Sequence, residues 1–235
     1  MRLTTNDHLI QRRSTWARYL TFAGMGFLLG SLVLSFMTDY VVLAYVALLV
    51  GFAFAMVGSY LANKWVKPPR ADQVLEKALK GFDNKHHLYN YLLPAEHVLL
   101  APSGVLVLKT KYHDGEITCK NGKWNRAWKW TRLFGSLAQE PLGDPLAELK
   151  LEMHKMRQLI TPALENAANI PIDGYVVFTD PRAQLSLDDP AAPVLPANEL
   201  KDTLRKTKRT QVLPSSVLED LERVLNEHAN AKATQ

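Results

Sequence analysis

Charge is missing where a water-soluble chain needs it. Residues 19–38 and 40–63 carry no Asp, Glu, Lys, Arg or His, and Asp39 alone separates these runs of 20 and 24 residues. At 1.5 Å per residue, either run as a helix crosses a hydrocarbon core of about 30 Å. The same absence leaves a transporter or proton path with no residues to work with, so the two spans are expected to be an anchor. Cysteine is nearly absent too. The single Cys119 excludes an intrachain disulfide, suits a reducing cytoplasm and cannot build a zinc site. The seven histidines are scattered, with no His-x3-His or His-Glu-x2-His spacing to compensate. Internal repeats are absent as well.

What is present fixes an expected direction. Arg2, Arg12, Arg13 and Arg18 precede the first run; Lys64, Lys67 and Arg70 follow the second; the turn Thr38-Asp39-Tyr40 holds no basic residue. Basic residues stay on the cytoplasmic side, which predicts a multi-pass protein of the cell (inner) membrane with both termini and the globular domain cytoplasmic. Trp16, Tyr19, Tyr40, Tyr60 and Trp65 fall at headgroup level. A cleaved signal peptide does not fit, because the first apolar stretch is too long and a second follows at once. These seven cations also account for much of the net charge of +5. Each is drawn to anionic lipid by roughly 1 kcal/mol without any nucleic acid. Small residues recur every four positions at Ala47, Gly51, Ala55 and Ser59, with a similar strip at Ala23, Gly26 and Gly30. Two readings stand: a homo-oligomer interface, or the packing of the two helices on each other.

Residues 1–18 read as a cytoplasmic segment, 64–71 as a juxtamembrane linker stiffened by Pro68-Pro69, and 229–235 as a frayed polar tail. The remaining stretch, about 170 residues before the tail is trimmed, suffices for one domain with its own core. Within it the pattern predicts a helix over 72–79, closed by Gly81, and strands over 87–93, 97–101 and 105–111 around the turn Pro102-Ser103-Gly104. A hairpin over 116–126 is expected around Asn121-Gly122. A helix over 146–167 follows, capped by Asp144 and kinked or split by Pro162. The rest reads as a strand over 175–179, a loop over 180–196 with a brief edge strand at Val194-Leu195, and helices over 198–205 and 216–228. Strands before a long helix, then strands again, predict an α/β (α+β) fold: a mixed sheet flanked by helices. The basic cluster Lys201 to Arg209 reads as a solvated helix face or a phosphate or lipid patch. Trp124, Trp128, Trp130 and Phe134, interleaved with Lys123, Arg126, Lys129 and Arg132, suit base stacking, a membrane-docking hairpin or plain core.

Several stretches in order carry a resemblance. They are Ala71-Asp72, Glu96-His97-Val98-Leu99, Ala101-Pro102-Ser103-Gly104-Val105, Val107-Leu108-Lys109-Thr110-Lys111, Gly115, Gly122-x-Trp124, Asp144-Pro145-Leu146 and Gly174-Tyr175-Val176-Val177-Phe178. Together, over residues 72–228, they resemble the nuclease-related domain (NERD), a branch of the PD-(D/E)XK nuclease-like, restriction-endonuclease-like fold. The resemblance implies a bacterial inner-membrane protein with Asp72 as helix acid, Glu96 as first carboxylate and Lys111 as the lysine of the site. Asp72 and Glu96 would be its metal ligands. Phosphodiester hydrolysis there needs a divalent cation, Mg²⁺ or Mn²⁺, to neutralise developing charge and acidify a water. The second carboxylate is replaced: Lys109 stands in its position, two residues before Lys111 and on the same strand face. An ammonium about 5 Å from a divalent ion costs roughly 6–7 kcal/mol at an effective dielectric near 20. Lys109 is expected to pair with Glu96 instead, quieting both. The expectation is thus a degenerate site needing no cofactor, and a binding or scaffold module for a nucleic-acid or protein partner. The alternative is a metal-dependent nuclease with a rearranged site, using Asp114 or Glu116 as a displaced carboxylate and His97 or His113 as a base. Glu148 and Glu152 read as a solvated helix edge beside Lys155.

Overall fold

A computed structural model describes residues 1–120, 122–127, 140–164, 167–188, 190–206 and 212–233. It divides into two units: one built on Asp7–Arg70, the other joining Met1–Asn6 to Ala71–Ala127 and Leu142–Gln235.

The first unit is a helical hairpin. Helix α1 (Asp7–Ser35) and helix α2 (Val41–Trp65) are joined by a single 3-10 turn, Thr38–Tyr40. Each helix is long and apolar enough to cross a membrane. Their mutual seam follows a seven-residue spacing, with Ala17, Gly24 and Ser31 of α1 and Ala44, Gly51 and Gly58 of α2 buried. A Cβ on Gly24 would stand 2.6 Å from the Ala55 amide nitrogen, and one on Gly51 2.9 Å from that of Leu28. No side chain fits there. Of the two strips foreseen from sequence, the α2 row lies in this seam at Gly51 and Ala55, while the α1 strip does not. Gly51 belongs to the seam, whereas Gly26 and Gly30 meet nothing within 4 Å. Two helices in lasting contact keep i and i+7 residues facing each other, while an i+4 row drifts off the seam. Phe22, Leu29, Phe36, Val42 and Leu49 stay exposed around the pair.

The second unit is a six-stranded mixed sheet in the order β1-β2-β3-β4-β7-β9. Its strands are β1 (Arg2–Thr5), β2 (His87–Asn90), β3 (His97–Ala101), β4 (Gly104–Lys111), β7 (Ile172–Phe178) and β9 (Val194–Pro196). Strands β2, β3 and β4 pair antiparallel, and β1, β7 and β9 join in parallel. A smaller sheet sets β5 (Gly115–Lys120) between β6 (Lys123–Arg126) and β8 (Ala183–Leu187). Side chains alternate across the larger sheet. Leu88, Leu99, Leu106 and Leu108 face Leu75 of helix α3 (Ala71–Ala78), Leu79 just beyond its end, and Leu200 of helix α5 (Leu200–Lys206). Val98, Leu100, Val105 and Val107 face Leu149 and Met156 of helix α4 (Pro145–Ile160) and Leu221 and Leu225 of helix α6 (Ser215–Ala233). The β3–β4 turn requires Gly104: its φ is +131°, and a Cβ would lie 2.5 Å from the Pro171 carbonyl oxygen.

Four elements differ from the sequence expectation. The edge strand β1 comes from before the hairpin; four residues of mixed polarity gave no strand signal alone. Strand β2 stops at Asn90, because Tyr91 adopts a left-handed φ of 62°. Strand β8 arises inside the supposed loop 180–196, held by parallel pairing to β5 that no local pattern announces. Helix α6 runs past Ala229 to Ala233, since Ala229 is buried and the Lys232 amine donates to the Leu93 carbonyl at 2.9 Å. The Asp144 cap is as foreseen, its carboxylate accepting from the Leu146 and Ala147 amides at 3.0 and 3.1 Å. Helix α4 ends at Ile160, ahead of Pro162.

Candidate functional site

Strand β4 is central, and its odd residues point toward α4. Val105 and Val107 are apolar, but the register ends on Lys109 and Lys111. Two strand residues rise about 6.6 Å. Helix residues four apart rise about 6 Å. The Lys109–Lys111 spacing thus matches Glu148–Glu152 across the interface, and the charges interlock. The Lys109 amine donates to Glu152 Oε1 at 2.7 Å and lies 3.1 Å from Glu148 Oε2. The Lys111 amine donates to Glu148 Oε1 at 2.7 Å. Lys111 is 1% exposed, and Lys109 and Glu152 are also buried.

The bend before β3 closes the cluster. The Tyr91 amide donates to the Glu96 carbonyl at 2.7 Å, and the Glu96 amide reaches Glu152 Oε2 at 3.4 Å. Burial acts to lower the Lys109 pKa, but the Glu152 charge and hydrogen bond, with Glu96 and Glu148, outweigh it and hold the ammonium above the ordinary lysine value. Burial also raises the Glu152 carboxyl, against the pull of Lys109, with the Glu96 charge adding to the rise. The charges around it therefore keep Lys109 in its ammonium form.

Of the residues expected at the site, the structure brings Glu96, Lys109 and Lys111 into one network. Asp72 is buried in the first turn of α3, the helix packed on the opposite sheet face. Lys109 pairs with Glu152 and Glu148, and the Glu96 charge acts on it as well. Asp114 is engaged elsewhere, in an ion pair with Arg126 of β6, with Arg182 4.0 Å away. His97 is wholly buried, its Nδ1 2.8 Å from Asn90 Oδ1. Trp124 packs near Phe178, ring centres 6.4 Å apart, as part of the core; Trp128, Trp130 and Phe134 lie outside the described residues. The basic run from Lys201 lies outside them from residue 207 onward.

Sequence reasoning missed Glu148 and Glu152, placing them on a solvated edge. The signal was present: Leu149, Met156 and Ile160 mark the inner stripe of α4, and Glu152 falls within it.

A mixed sheet with helices on both faces, carrying a lysine pair on its central strand, is a nuclease-like α/β fold. Residues 69–179 match the family model described as the nuclease-related domain, and two apolar helices suited to a membrane anchor precede the match. No curated protein and no solved structure matches the chain. The matched stretch begins after the hairpin and ends before β8. Strands β1, β8 and β9 and helices α5 and α6 thus lie outside it.

The donor set does not suit a divalent cation. Mg²⁺ binds oxygen ligands in near-octahedral geometry. Here the carboxylates of Glu148 and Glu152 are committed to ammonium groups, and Lys109 stands between them. Among the described residues no group of three or more His, Cys, Asp or Glu side chains converges as a metal site.

Proposed function

We propose that this nuclease-related domain is a membrane-anchored binding or scaffold module without phosphodiesterase activity. The observation that carries this reading is the Lys109 ammonium bonded between Glu152 and Glu148, where a cation-binding carboxylate would otherwise stand. A lattice of alternating charges satisfies itself and has no need of a metal to neutralise it. Both lysines are engaged, so contact with a nucleic-acid partner would draw on other groups; a protein partner asks nothing of the site.

Chain connectivity supports the orientation. Strand β1 precedes the hairpin, β2 follows it, and the two pair along Arg2–Thr5 and His87–Asn90. Two spans return a chain to the side it left. Together with the flanking cations, this favours a cytoplasmic domain and cytoplasmic ends.

A second reading has its own observation. Glu96, Glu148 and Glu152 all act on Lys109. Were that side chain to swing away, these carboxylates would lose the ammonium that neutralises them, which is the condition a rearranged Mg²⁺- or Mn²⁺-dependent nuclease would need. Incubating the purified full-length chain with DNA and RNA and either metal separates the two. The module reading expects no cleavage above background. Cleavage lost in both Glu96→Gln and Lys111→Ala rejects it in favour of the nuclease.

A further inference from the structure

The hairpin has a cavity of about 250 Å³, lined by Arg12, Arg13, Trp16 and Leu20 of α1 and Leu61 of α2. It sits at the end away from the Thr38–Tyr40 turn. Residues 12, 16 and 20 are four apart and share one face of α1. The top of the cavity is cationic and its floor aliphatic. Most arginines of the domain are engaged: Arg2 with Glu222, Arg126 with Asp114, Arg182 with Asp180, Arg223 with Asp220, and Arg157 with the Ala167 and Ile170 carbonyls. Arg12 and Arg13 are exposed and make no hydrogen bond or ion pair among the described residues.

We propose that this cavity binds the phosphate headgroup of an anionic membrane lipid. The inference rests on the membrane reading above. Two guanidiniums answer the phosphate, since Arg forks match phosphate oxygens. Trp16, 58% exposed, offers an amphipathic ring at the interface. Leu20 and Leu61 line the base, where the acyl chains begin. A free phosphate satisfies the arginines but leaves the aliphatic floor uncovered, which favours the lipid.

The test is native mass spectrometry of the detergent-solubilised full chain, titrated with phosphatidylglycerol or phosphatidylcholine. Phosphatidylglycerol is expected to be retained about tenfold better. The preference should vanish in Arg12→Gln/Arg13→Gln. It should also vanish in Leu61→Trp, which fills the cavity and leaves the charge untouched. It should survive in Arg18→Gln, whose side chain does not line the cavity. Equal retention of the two lipids, or displacement of phosphatidylglycerol by millimolar inorganic phosphate, overturns the proposal. Alkaline extraction of membranes separates the two levels. A chain released into solution defeats the membrane reading itself; a chain that stays while showing no lipid preference defeats the lipid site alone.

Discussion

The α1–α2 seam and the β4–α4 junction solve one problem with opposite chemistry. Both bring two backbones together away from water. In the hairpin the solution is to remove side chains: Gly24, Gly51 and Gly58 stand where even a methyl group would collide with the facing helix. At β4–α4 the solution is to keep long charged side chains and match their spacing, Lys109 and Lys111 against Glu148 and Glu152. The first interface fails when anything is added. The second fails when anything is taken away.

The largest effect should come from taking away. Glu152→Ala leaves Lys109 buried with one direct partner, and breaking a buried pair costs about 3–5 kcal/mol. Chemical unfolding of the full chain should show that loss. Replacing both members, as Lys109→Met/Glu152→Leu, should recover stability to within about 1 kcal/mol of the parent, since an apolar pair has no charge to strand.

Addition to the seam should cost less. Gly51→Leu forces atoms into the facing helix, and overpacking typically costs about 1–3 kcal/mol. Steric trapping of the hairpin in bilayers reads this directly. Gly26→Leu, on the outer surface, should change hairpin stability by no more than about 0.5 kcal/mol. Crosslinking of that variant in membranes tests the outward strip: unchanged oligomers discard any part for it in self-assembly.

The smallest effect concerns the edge strand. Arg2 donates to Glu222 Oε2 at 2.8 Å, while His87 stands 2.7 Å from Thr4 Oγ1 and 3.3 Å from Glu222 Oε1. Burial, helped by the Arg2 charge, lowers the His87 pKa against the pull of Glu222. Burial alone would raise Glu222, but hydrogen bonds from Arg2 and His87 outweigh it and lower its pKa. Both folded values are depressed. Each group therefore contributes stability above its unfolded value, near 6.5 for the imidazole and 4.5 for the carboxyl, that is lost as pH falls through the folded one. Amide protection factors along Arg2–Thr5, corrected for intrinsic exchange, should fall in acid before those of β4 do. With Arg2 45% exposed, Arg2→Ala should cost only about 0.5 kcal/mol.

How much of this was legible in sequence follows the range of the interactions. The two spans, their turn, the Asp144 cap and strands β3 to β6 are written in runs a few residues long, and they were readable. Strands β1 and β8 owe their existence to partners 85 and 68 residues away in the register Arg2↔His87 and Gly115↔Ala183. Nothing local marks them. The site was half legible. Lys109 and Lys111 could be placed on one strand face, but their partners Glu148 and Glu152 come from a helix whose docking face must be known first. The same limit applies to the hairpin: the α2 row does reach the seam at Gly51 and Ala55, but the α1 residues that meet it are Ala17, Gly24 and Ser31 rather than Ala23, Gly26 and Gly30.

Manganese binding tests the central claim most directly. Titrating Mn²⁺ into the full-length chain at neutral pH, followed by electron paramagnetic resonance, should reveal no saturable site up to millimolar metal, while Lys109→Glu should create one. A site already present in the unaltered chain, and abolished by Glu152→Gln, would contradict the account.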